Sequence, residues 1–237
     1  MYGSKTVIII PARLNSSRFP NKPLVYVENI PMVIRVYQQA LKSNLGDVFV
    51  AGCDKGVEDV VKGHGYNYIE TRSDLPSGTD RAFYCYKQLP QNYYNNIINL
   101  QCDMPYVKPE SIRKVSQLSL INQGDHSRIS TAAIKINNPS HINSRDQVKV
   151  IISLNNEALY FTRSAVAQPQ NFKHIGIYGF TPQSIKQFAL LKQSPLEKFE
   201  RLEQLRALEN NMKINVVTVE DPGISIDTKK DLERIDR

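Results

Sequence analysis

The chain opens with an apolar run that predicts a buried strand. Val7, Ile8, Ile9 and Ile10 are four consecutive β-branched residues, a pattern typical of a strand covered on both faces. Pro11 follows directly, and we expect it to end the strand because proline cannot donate a ladder hydrogen bond.

Helix and strand patterns then alternate through the first half of the chain. Short apolar runs predict strands over 47–51, 66–70 and 97–100. Four stretches carry apolar residues at helical spacing: Val33, Val36, Tyr37, Ala40 and Leu41; Val57, Val60 and Val61; Ala82, Cys85, Tyr86 and Leu89; Ile112, Val115, Leu118 and Ile121. This alternation predicts a three-layer α/β fold with a mixed, mainly parallel, doubly wound (Rossmann-like) sheet.

Strand patterns are denser in the second half. We expect strands over 130–136, 148–153, 158–162, 174–180 and 212–219, the second and third of them forming a hairpin, and a last helix over 229–235. A further helical pattern follows Pro195, with a predicted buried stripe of Phe199, Leu202, Leu205 and Leu208. On the same stretch, the charged residues predict a solvated face: Glu197, Glu200, Glu203 and Arg206.

Composition narrows the class of protein only a little. The 237 residues carry a formal charge of +7, which is compatible with an anionic ligand, but the basic residues are spread along the chain, which disfavours nucleic acid as a partner. Three cysteines without a CxxC pair predict reduced thiols in a cytoplasmic protein. We see no signal peptide and no apolar run near the ~20 residues of a membrane span.

The segment after the first strand has the composition of a phosphate-binding loop. It holds the cations Arg13, Arg18 and Lys22 and the hydroxyls Ser16 and Ser17, on a loop at the carboxyl end of a predicted buried strand. The alternative is a set of solvated loop cations. Neither a Walker A loop nor a GxGxxG fingerprint is present, so any phosphate site here has another design.

Four other residues suit the binding of a phosphate-bearing ligand and its metal. Asp103 follows a predicted buried strand, where a carboxylate can hold Mg²⁺ or simply cap a turn. Asp227 can cap the last helix or act as a second carboxylate ligand. Ser77 and Thr79 precede a helix, whose free N–H groups suit a helix cap and also an anion or a base.

These segments resemble, in order along the chain, the motifs of the sugar-acid cytidylyltransferases. The first is PARxxSxRxPxKPL, present at 11–24. The others are SGTDR at 77–81, QCDMP at 101–105, ALYFTRS at 158–164, HIGIYGF at 174–180, SPLExxExLEQLR at 194–206 and PGxxxDTxxDL at 222–232.

The resemblance implies a role for each matching residue. Nucleotide contacts are implied for Pro11, Ala12, Arg13, Ser16, Arg18, Lys22, Ser77, Gly78 and Thr79. Substrate contacts are implied for Gln101, Arg163, His174, Tyr178, Glu203 and Gln204. Asp103 and Asp227 would hold Mg²⁺, and together with Arg13 and Lys22 they form the implied catalytic set.

The resemblance also implies an activity and an assembly. The reaction would join CTP to a keto sugar acid, giving a CMP-sugar and pyrophosphate. The ALYFTR and HIGIYGF matches favour the branch that activates 3-deoxy-manno-octulosonate for lipopolysaccharide biosynthesis. A single nucleotidyltransferase domain over 1–237 is expected, with a strand-rich excursion over about 130–175 that contributes to the sugar pocket and to a homodimer.

Alternatives remain at this stage. Leu75, Cys102 and Met104 stand where the family usually has His, Gly and Glu, which leaves room for sialic acid, an 8-amino sugar acid or another nucleoside triphosphate. A catalytically silent nucleotide-binding module is a second alternative, and a nucleic-acid binder, which rests only on the basic pI, is a third.

Overall fold

The computed structural model of the chain describes residues 5–15, 19–90, 92–166, 170–221 and 223–235. Ser16, Arg18 and Pro222, which the sequence motifs include, lie outside the described residues.

Strands of both halves join in one mixed sheet. The strands are β1 Thr6–Ala12, β2 Tyr26–Val27, β3 Ile30–Pro31, β4 Gly46–Gly52, β5 Tyr68–Glu70, β6 Asn96–Leu100, β7 Arg128–Lys135, β8 Lys149–Ile152, β9 Ala158–Thr162, β10 Phe172–Phe180 and β11 Lys213–Thr218. β2 and β3 pair with each other in a separate two-stranded sheet, and the other nine strands form the mixed sheet. Its main path runs β11-β7-β10-β6-β1-β4-β5, and within it only β10 runs antiparallel to its neighbours. The predicted mixed, mainly parallel sheet is confirmed.

Helices cover both faces of this sheet. They are α1 Met32–Lys42, α2 Lys55–Gly63, α3 Gly78–Tyr86, α4 Pro109–Ile121, α5 Pro139–Asn143, α6 Pro182–Leu190, α7 Pro195–Glu200, α8 Gln204–Glu209 and α9 Lys229–Ile235. On β1, Val7 and Ile9 pack into the core beneath α3, α6 and α8, and Ile8 and Ile10 into the core beneath α1, α2 and α4. The alternation of side chains along a strand thus places one strand in two cores.

The first strand is longer than expected, and the prediction that Pro11 ends it is wrong. β1 pairs with β4 through Ala12, whereas its pairing with β6 stops at Ile9. Pro11 therefore lies where β1 has one neighbour only, and its missing N–H leaves no ladder position empty on the open side.

Three residues of the predicted apolar stripes are exposed. Leu41, Ile121 and Phe199 have 47%, 80% and 83% of their surface accessible. Leu41 and Ile121 lie in the last turns of α1 and α4, where the helix has passed the edge of the core.

The predicted hairpin is confirmed, since β8 and β9 pair antiparallel. β8 joins the first two residues of β10, Phe172 and Lys173, before β10 begins to pair with β6 at Ile177. β7 and β10 themselves lie inside the main sheet. The hairpin therefore extends the sheet beside the first residues of β10, next to His174, for which the motif resemblance implies a substrate contact.

Candidate active site

Two adjoining cavities open where the carboxyl ends of β1 and β6 meet. The smaller, of about 210 Å³, is lined by Pro11, Ala12, Arg13, Lys22, Pro23, Ser77, Gly78, Arg81, Gln101, Cys102 and Asp103. The larger, of about 560 Å³, shares five of these and continues to residues of β10 and of the α7–α8 segment. Arg13, Ser77, Gly78, Gln101 and Asp103 form the common wall.

Lys22 joins the first loop to two carboxylates. Its Nζ lies 2.9 Å from Oδ2 of Asp103 and 3.9 Å from Oδ1 of Asp227. Burial acts to lower the pKa of Lys22, but the two carboxylates outweigh it, so that the pKa is raised above its usual range. The ammonium is therefore a permanent positive charge between two acidic side chains.

The loop that carries Asp227 is tied to the end of β6. The N–H of Ile226 donates to the carbonyl of Asp103 at 2.8 Å. Gly223 has a φ of +79°, and a Cβ there would overlap the carbonyl of Tyr106, so this close approach requires glycine. Thr228 directly precedes α9, and a reciprocal pair of hydrogen bonds closes the first turn: the Asp231 carboxylate accepts from the Thr228 N–H at 2.8 Å, and the Asp231 N–H donates to the Thr228 hydroxyl at 3.4 Å.

The turn at the start of α3 is held by an acidic side chain between α7 and α8, Glu203. Ser77 caps the helix as predicted, accepting from the N–H of Asp80. The N–H of Thr79 donates to Oε2 of Glu203 at 2.9 Å, and the Thr79 hydroxyl accepts from Asn99. Thr79 is thus buried and absent from the lining of both cavities, unlike Ser77 and Gly78.

A buried ion cluster fixes this contact. Arg206 donates to both oxygens of Asp80 at 3.0 Å and to both oxygens of Glu197 at 2.9 and 2.7 Å. Arg206 is 1% exposed and Glu197 4%, so the predicted solvated face is wrong for these two residues. The reason is a break at Arg201, whose φ of +57° ends α7 and redirects α8.

Gln101 has glycine on both sides. A Cβ on Gly78 would lie 2.9 Å from its Nε2, and a Cβ on Gly176 would lie 3.0 Å from its Cγ. The Gln101 amide donates toward Glu203 Oε1 at 3.4 Å, and its backbone N–H donates to the Gly176 carbonyl at 3.1 Å. Gln101 therefore lies in a narrow space between the turn at the start of α3 and β10.

His174 is a buried neutral imidazole in the wall of the larger cavity. Burial, with the charge of Lys173 adding to it, lowers its pKa to about 3. Its Nε2 lies 2.9 Å from the hydroxyl of Thr131, which itself donates to the carbonyl of Ile177 at 2.8 Å. The Nε2–H must then be the donor to Thr131, which leaves Nδ1 as an acceptor.

Gln204 offers a free donor to the same cavity. Its Oε1 accepts from the hydroxyl of Tyr178 at 3.1 Å, whereas its buried Nε2 has no partner among the described residues. Tyr178 thus orients Gln204, and the amide of Gln204 can serve a ligand.

Arg163 lines the larger cavity from the end of β9, and its backbone is anchored on both sides. Its N–H donates to Oε2 of Glu200 at 3.1 Å. Its carbonyl accepts from the buried Lys149, whose Nζ also donates to the carbonyls of Ser144 and Gln147. Burial, and next the charge of Arg163, lower the pKa of Lys149.

Sequence reasoning missed three buried charged residues around the site. Arg81, Asp80 and Lys149 are all at most 7% exposed. Asp80 and Arg81 belong to the SGTDR motif, so a signal for them was present, whereas Lys149 stands in an ordinary strand pattern without any such signal.

A divalent cation fits the two carboxylates. Asp103 and Asp227 already share one cation, the Lys22 ammonium, and Mg²⁺ is commonly held by one or two carboxylates together with substrate phosphates and water. Within the described ranges, no cluster of three or more His, Cys, Asp or Glu residues is arranged as a metal site. The donor set therefore suits a metal that arrives with a phosphate ligand rather than one held by protein alone.

Among the described residues, no helix is both long enough and apolar enough to span a membrane.

Comparison with known proteins identifies the family of the chain. The chain matches the cytidylyltransferase family over residues 7–214. It is 39% identical to the 3-deoxy-manno-octulosonate cytidylyltransferase of Rickettsia typhi, over 99% of this chain and 97% of that protein, and 39% identical to the enzyme of Rickettsia prowazekii, over 99% and 95%.

A solved structure of a CMP:2-keto-3-deoxy-manno-octonic acid synthetase complexed with CTP superposes with a TM-score of 0.85, at 34% identity, over 98% of this chain and 97% of that one. A glucose-1-phosphate thymidylyltransferase structure from Bacillus anthracis, at 12% identity and a TM-score of 0.66, shares the fold. The resemblance seen in the motifs thus holds over the whole chain, which belongs to the cytidylyltransferase family.

Proposed function

We propose that this chain activates 3-deoxy-manno-octulosonate with CTP, giving the CMP-sugar and pyrophosphate for lipopolysaccharide biosynthesis. The observation that carries the proposal is the Lys22–Asp103–Asp227 cluster at the junction of two polar cavities. The cluster supplies charge for a triphosphate and carboxylates for a metal, and the adjoining cavities provide room for two substrates.

In this reaction the anomeric hydroxyl oxygen attacks the α-phosphorus of CTP. The new bond joins that oxygen to phosphorus, the bond to the β-phosphate oxygen breaks, and pyrophosphate leaves with the electron pair while the hydroxyl proton is released. Chemistry of this kind depends on positioning and on neutralisation of charge.

The chain's own residues divide this work between the two cavities. Arg13 and Lys22, from the loop after β1, neutralise the triphosphate. Asp103 and Asp227 would hold Mg²⁺, and a metal bound there would lower the pKa of the attacking hydroxyl and stabilise charge on the α-phosphate. With both carboxylates bound to a metal, the Lys22 ammonium would be free to contact the phosphates.

The sugar acid is placed by residues of the larger cavity. A guanidinium suits a carboxylate, so we assign the substrate carboxylate to Arg163. His174 is neutral and its Nδ1 is an acceptor, a combination that suits a sugar hydroxyl and not a carboxylate. Gln101 and the free amide of Gln204 provide further donors, and Glu203 provides an acceptor at the wall between the cavities.

We further propose a cytoplasmic homodimer. The three cysteines are free, in keeping with a reducing compartment. For the dimer contact we propose the β8–β9 hairpin and its flanking loops, within the excursion at about 130–175.

Pyrophosphate release tests the proposed function. The protein is incubated with Mg²⁺, CTP and 3-deoxy-manno-octulosonate, with sialic acid or another nucleoside triphosphate substituted in parallel reactions. We expect turnover with the octulosonate and CTP and loss of turnover when EDTA is added. Turnover only with another acid sugar would replace 3-deoxy-manno-octulosonate as the assigned substrate. No turnover from protein that binds CTP would overturn the enzymatic proposal in favour of a nucleotide-binding module.

A further inference from the structure

A buried lysine at the start of β8 donates, among the described residues, only to backbone carbonyls. Lys149 is 0% exposed, and its Nζ lies 2.7, 2.8 and 2.7 Å from the carbonyl oxygens of Ser144, Gln147 and Arg163. An ammonium has three donors and no acceptor, so Lys149 has no hydrogen left for a substrate. It is also absent from the lining of both cavities, whereas Arg163 lines the larger one.

The backbone of Arg163 is held by a charged side chain on each side of its Cα. Glu200, at the end of α7, accepts from its N–H at 3.1 Å, and Lys149 donates to its carbonyl. The two flanking peptide planes determine the direction of the Cα–Cβ bond. These charge-assisted hydrogen bonds, which are stronger than bonds between neutral groups, therefore set the direction in which the Arg163 side chain leaves the end of β9.

The same ammonium holds the loop between α5 and β8 against Arg163. Besides the two carbonyls that Lys149 binds in this loop, the carbonyl of Arg145 accepts from Nη1 of Arg163 at 3.3 Å. Asp146, in the same loop, lines the larger cavity. Lys149 thus joins two neighbouring segments of the cavity wall without reaching the cavity itself.

This arrangement also holds two positive charges close together. Burial, and next the charge of Arg163, lower the pKa of Lys149, so the two cations repel each other when no anion is bound. A carboxylate on the Arg163 guanidinium would relieve this repulsion. The surroundings of Lys149 therefore favour an anionic group at Arg163.

We propose that Lys149 is a positioning residue for the substrate carboxylate, which acts through Arg163 and does not contact the substrate. The inference rests on the proposed function, in which Arg163 binds the carboxylate of the sugar acid. A guanidinium binds a carboxylate through two parallel hydrogen bonds, so its orientation decides how well it binds. A shift of about 1 Å at the end of β9 would weaken sugar-acid binding and leave the residues of the smaller cavity in place.

A double-mutant cycle tests whether Lys149 acts through Arg163. Lys149→Met removes the three donors but keeps an unbranched side chain, Arg163→Met removes the guanidinium but keeps the backbone, and a third protein carries both changes. For each protein, pyrophosphate release gives kcat, KM for 3-deoxy-manno-octulosonate and KM for CTP, and thermal unfolding gives the midpoint.

For Lys149→Met we expect KM for 3-deoxy-manno-octulosonate to rise roughly 10- to 100-fold, with KM for CTP and kcat within about threefold. Arg163→Met should raise the same KM at least as much. The double variant should match Arg163→Met alone, because a residue that acts only through the Arg163 guanidinium has nothing left to position.

Glu200 provides a second set of variants, which serves the test if Lys149→Met fails to fold. Glu200→Ala removes the acceptor of the Arg163 N–H and should also raise KM for the sugar acid, whereas Glu200→Gln keeps an acceptor oxygen and should recover part of that loss.

Tyr94→Phe is the control for lost stability. It removes a 2.6 Å hydrogen bond to Asp47 at the amino ends of β4 and β6, away from the site. This variant should lower the midpoint without changing either KM.

An unchanged KM for the sugar acid in a folded Lys149→Met or Glu200→Ala variant would overturn the inference. Losses that add in the double variant would also overturn it, because they would show that Lys149 acts independently of Arg163. Absence of turnover in the wild-type protein would instead count against the proposed function itself, so the two failures are distinguishable.

Discussion

Lys22 Nζ lies 2.9 Å from Oδ2 of Asp103, 81 positions further along the chain. This contact closes the loop after β1 over the end of β6, and with Asp227 at 3.9 Å it collects three elements at one point. The arrangement holds a cation between two carboxylates before any substrate binds, and it is the basis of the first prediction.

Replacing either carboxylate should abolish turnover without unfolding the protein. Asp103→Asn and Asp227→Asn keep the shape of the side chain but lose the charge proposed to hold the metal, and we expect kcat to fall at least ~100-fold, in line with losses seen when an electrostatic contact to a transition state is removed. Pyrophosphate release and circular dichroism measure the two effects. Asp59→Asn, at an exposed carboxylate of α2 paired with Lys55, is the control and should stay near wild type.

The glycine that shapes the Asp227 loop should be as sensitive as the carboxylate itself. Gly223→Ala places a Cβ against the Tyr106 carbonyl at a φ of +79°, so the loop must move and carry Asp227 with it. We expect kcat to fall at least tenfold, as displacement of a catalytic group by about 1 Å predicts. The assay is pyrophosphate release at saturating CTP.

Gly65→Ala is the matched control for that change. Gly65 has a similar φ of +75°, but nothing lies within 4 Å of a Cβ there, so only the conformational cost of ~1 kcal/mol remains. Activity should be preserved in this variant. Equal losses of kcat in both variants would show that backbone strain, not the position of Asp227, limits activity.

The buried ion cluster should contribute far more to stability than an exposed one of the same composition. Arg206→Met leaves Asp80 and Glu197 buried without their cation, and we expect the free energy of unfolding to fall by ~3–5 kcal/mol. Arg128 also contacts two carboxylates, Asp125 and Glu157, but is 23% exposed.

Arg128→Met is therefore the comparison, with an expected loss of at most ~1 kcal/mol. Urea denaturation of both variants gives the two values. Comparable losses would contradict the assignment of Arg206 to a desolvated cluster.

Acid should destabilise the fold through His174. The pKa of the folded imidazole is about 3, against 6.5 as its ordinary value, so the unfolded chain binds the extra proton as pH falls below 6.5. The contribution to stability is therefore complete above pH 6.5 and is lost progressively toward pH 3, with a limiting slope of ~1.4 kcal/mol per pH unit.

Between pH 7 and pH 5 this amounts to about 2 kcal/mol from one histidine. His174→Gln removes the titrating group, so the wild-type protein should lose about that much more than the variant over this interval. Urea denaturation at both pH values measures the difference. Equal losses of unfolding free energy in the two proteins would show that a group other than His174 causes the pH dependence.

The sequence predicted the parts of the site that depend on local chain order. Lys22, Asp103 and Asp227 each follow a strand or precede a helix, and parallel strands bring such positions to one edge of a sheet. The fold class followed from the same alternation of strands and helices. The continuation of β1 through Pro11 escaped it, because the early end of the β6 pairing is not visible in the sequence, and the helix α6 and the short strands β2 and β3 were not predicted either.

Contacts between distant segments could not be predicted in this way. Helical spacing predicts one continuous helical pattern over 195–209, with Glu197 and Arg206 on its solvent-exposed face. The break at Arg201 and the partner Asp80, 126 positions away, turn those charges inward. For Thr79 the sequence shows an N–H group free for a ligand, whereas Glu203 occupies it.

The Lys22–Asp103–Asp227 contact also sets the order in which the site can form during synthesis. Asp103 follows Lys22 by 81 positions, and Asp227 follows Asp103 by a further 124. A nascent chain can therefore pair β1 with β4 and β6 and close Lys22 onto Asp103 while the second carboxylate is still missing. Synthesis that stalls between Asp103 and Asp227 would leave these three strands paired around an incomplete cluster.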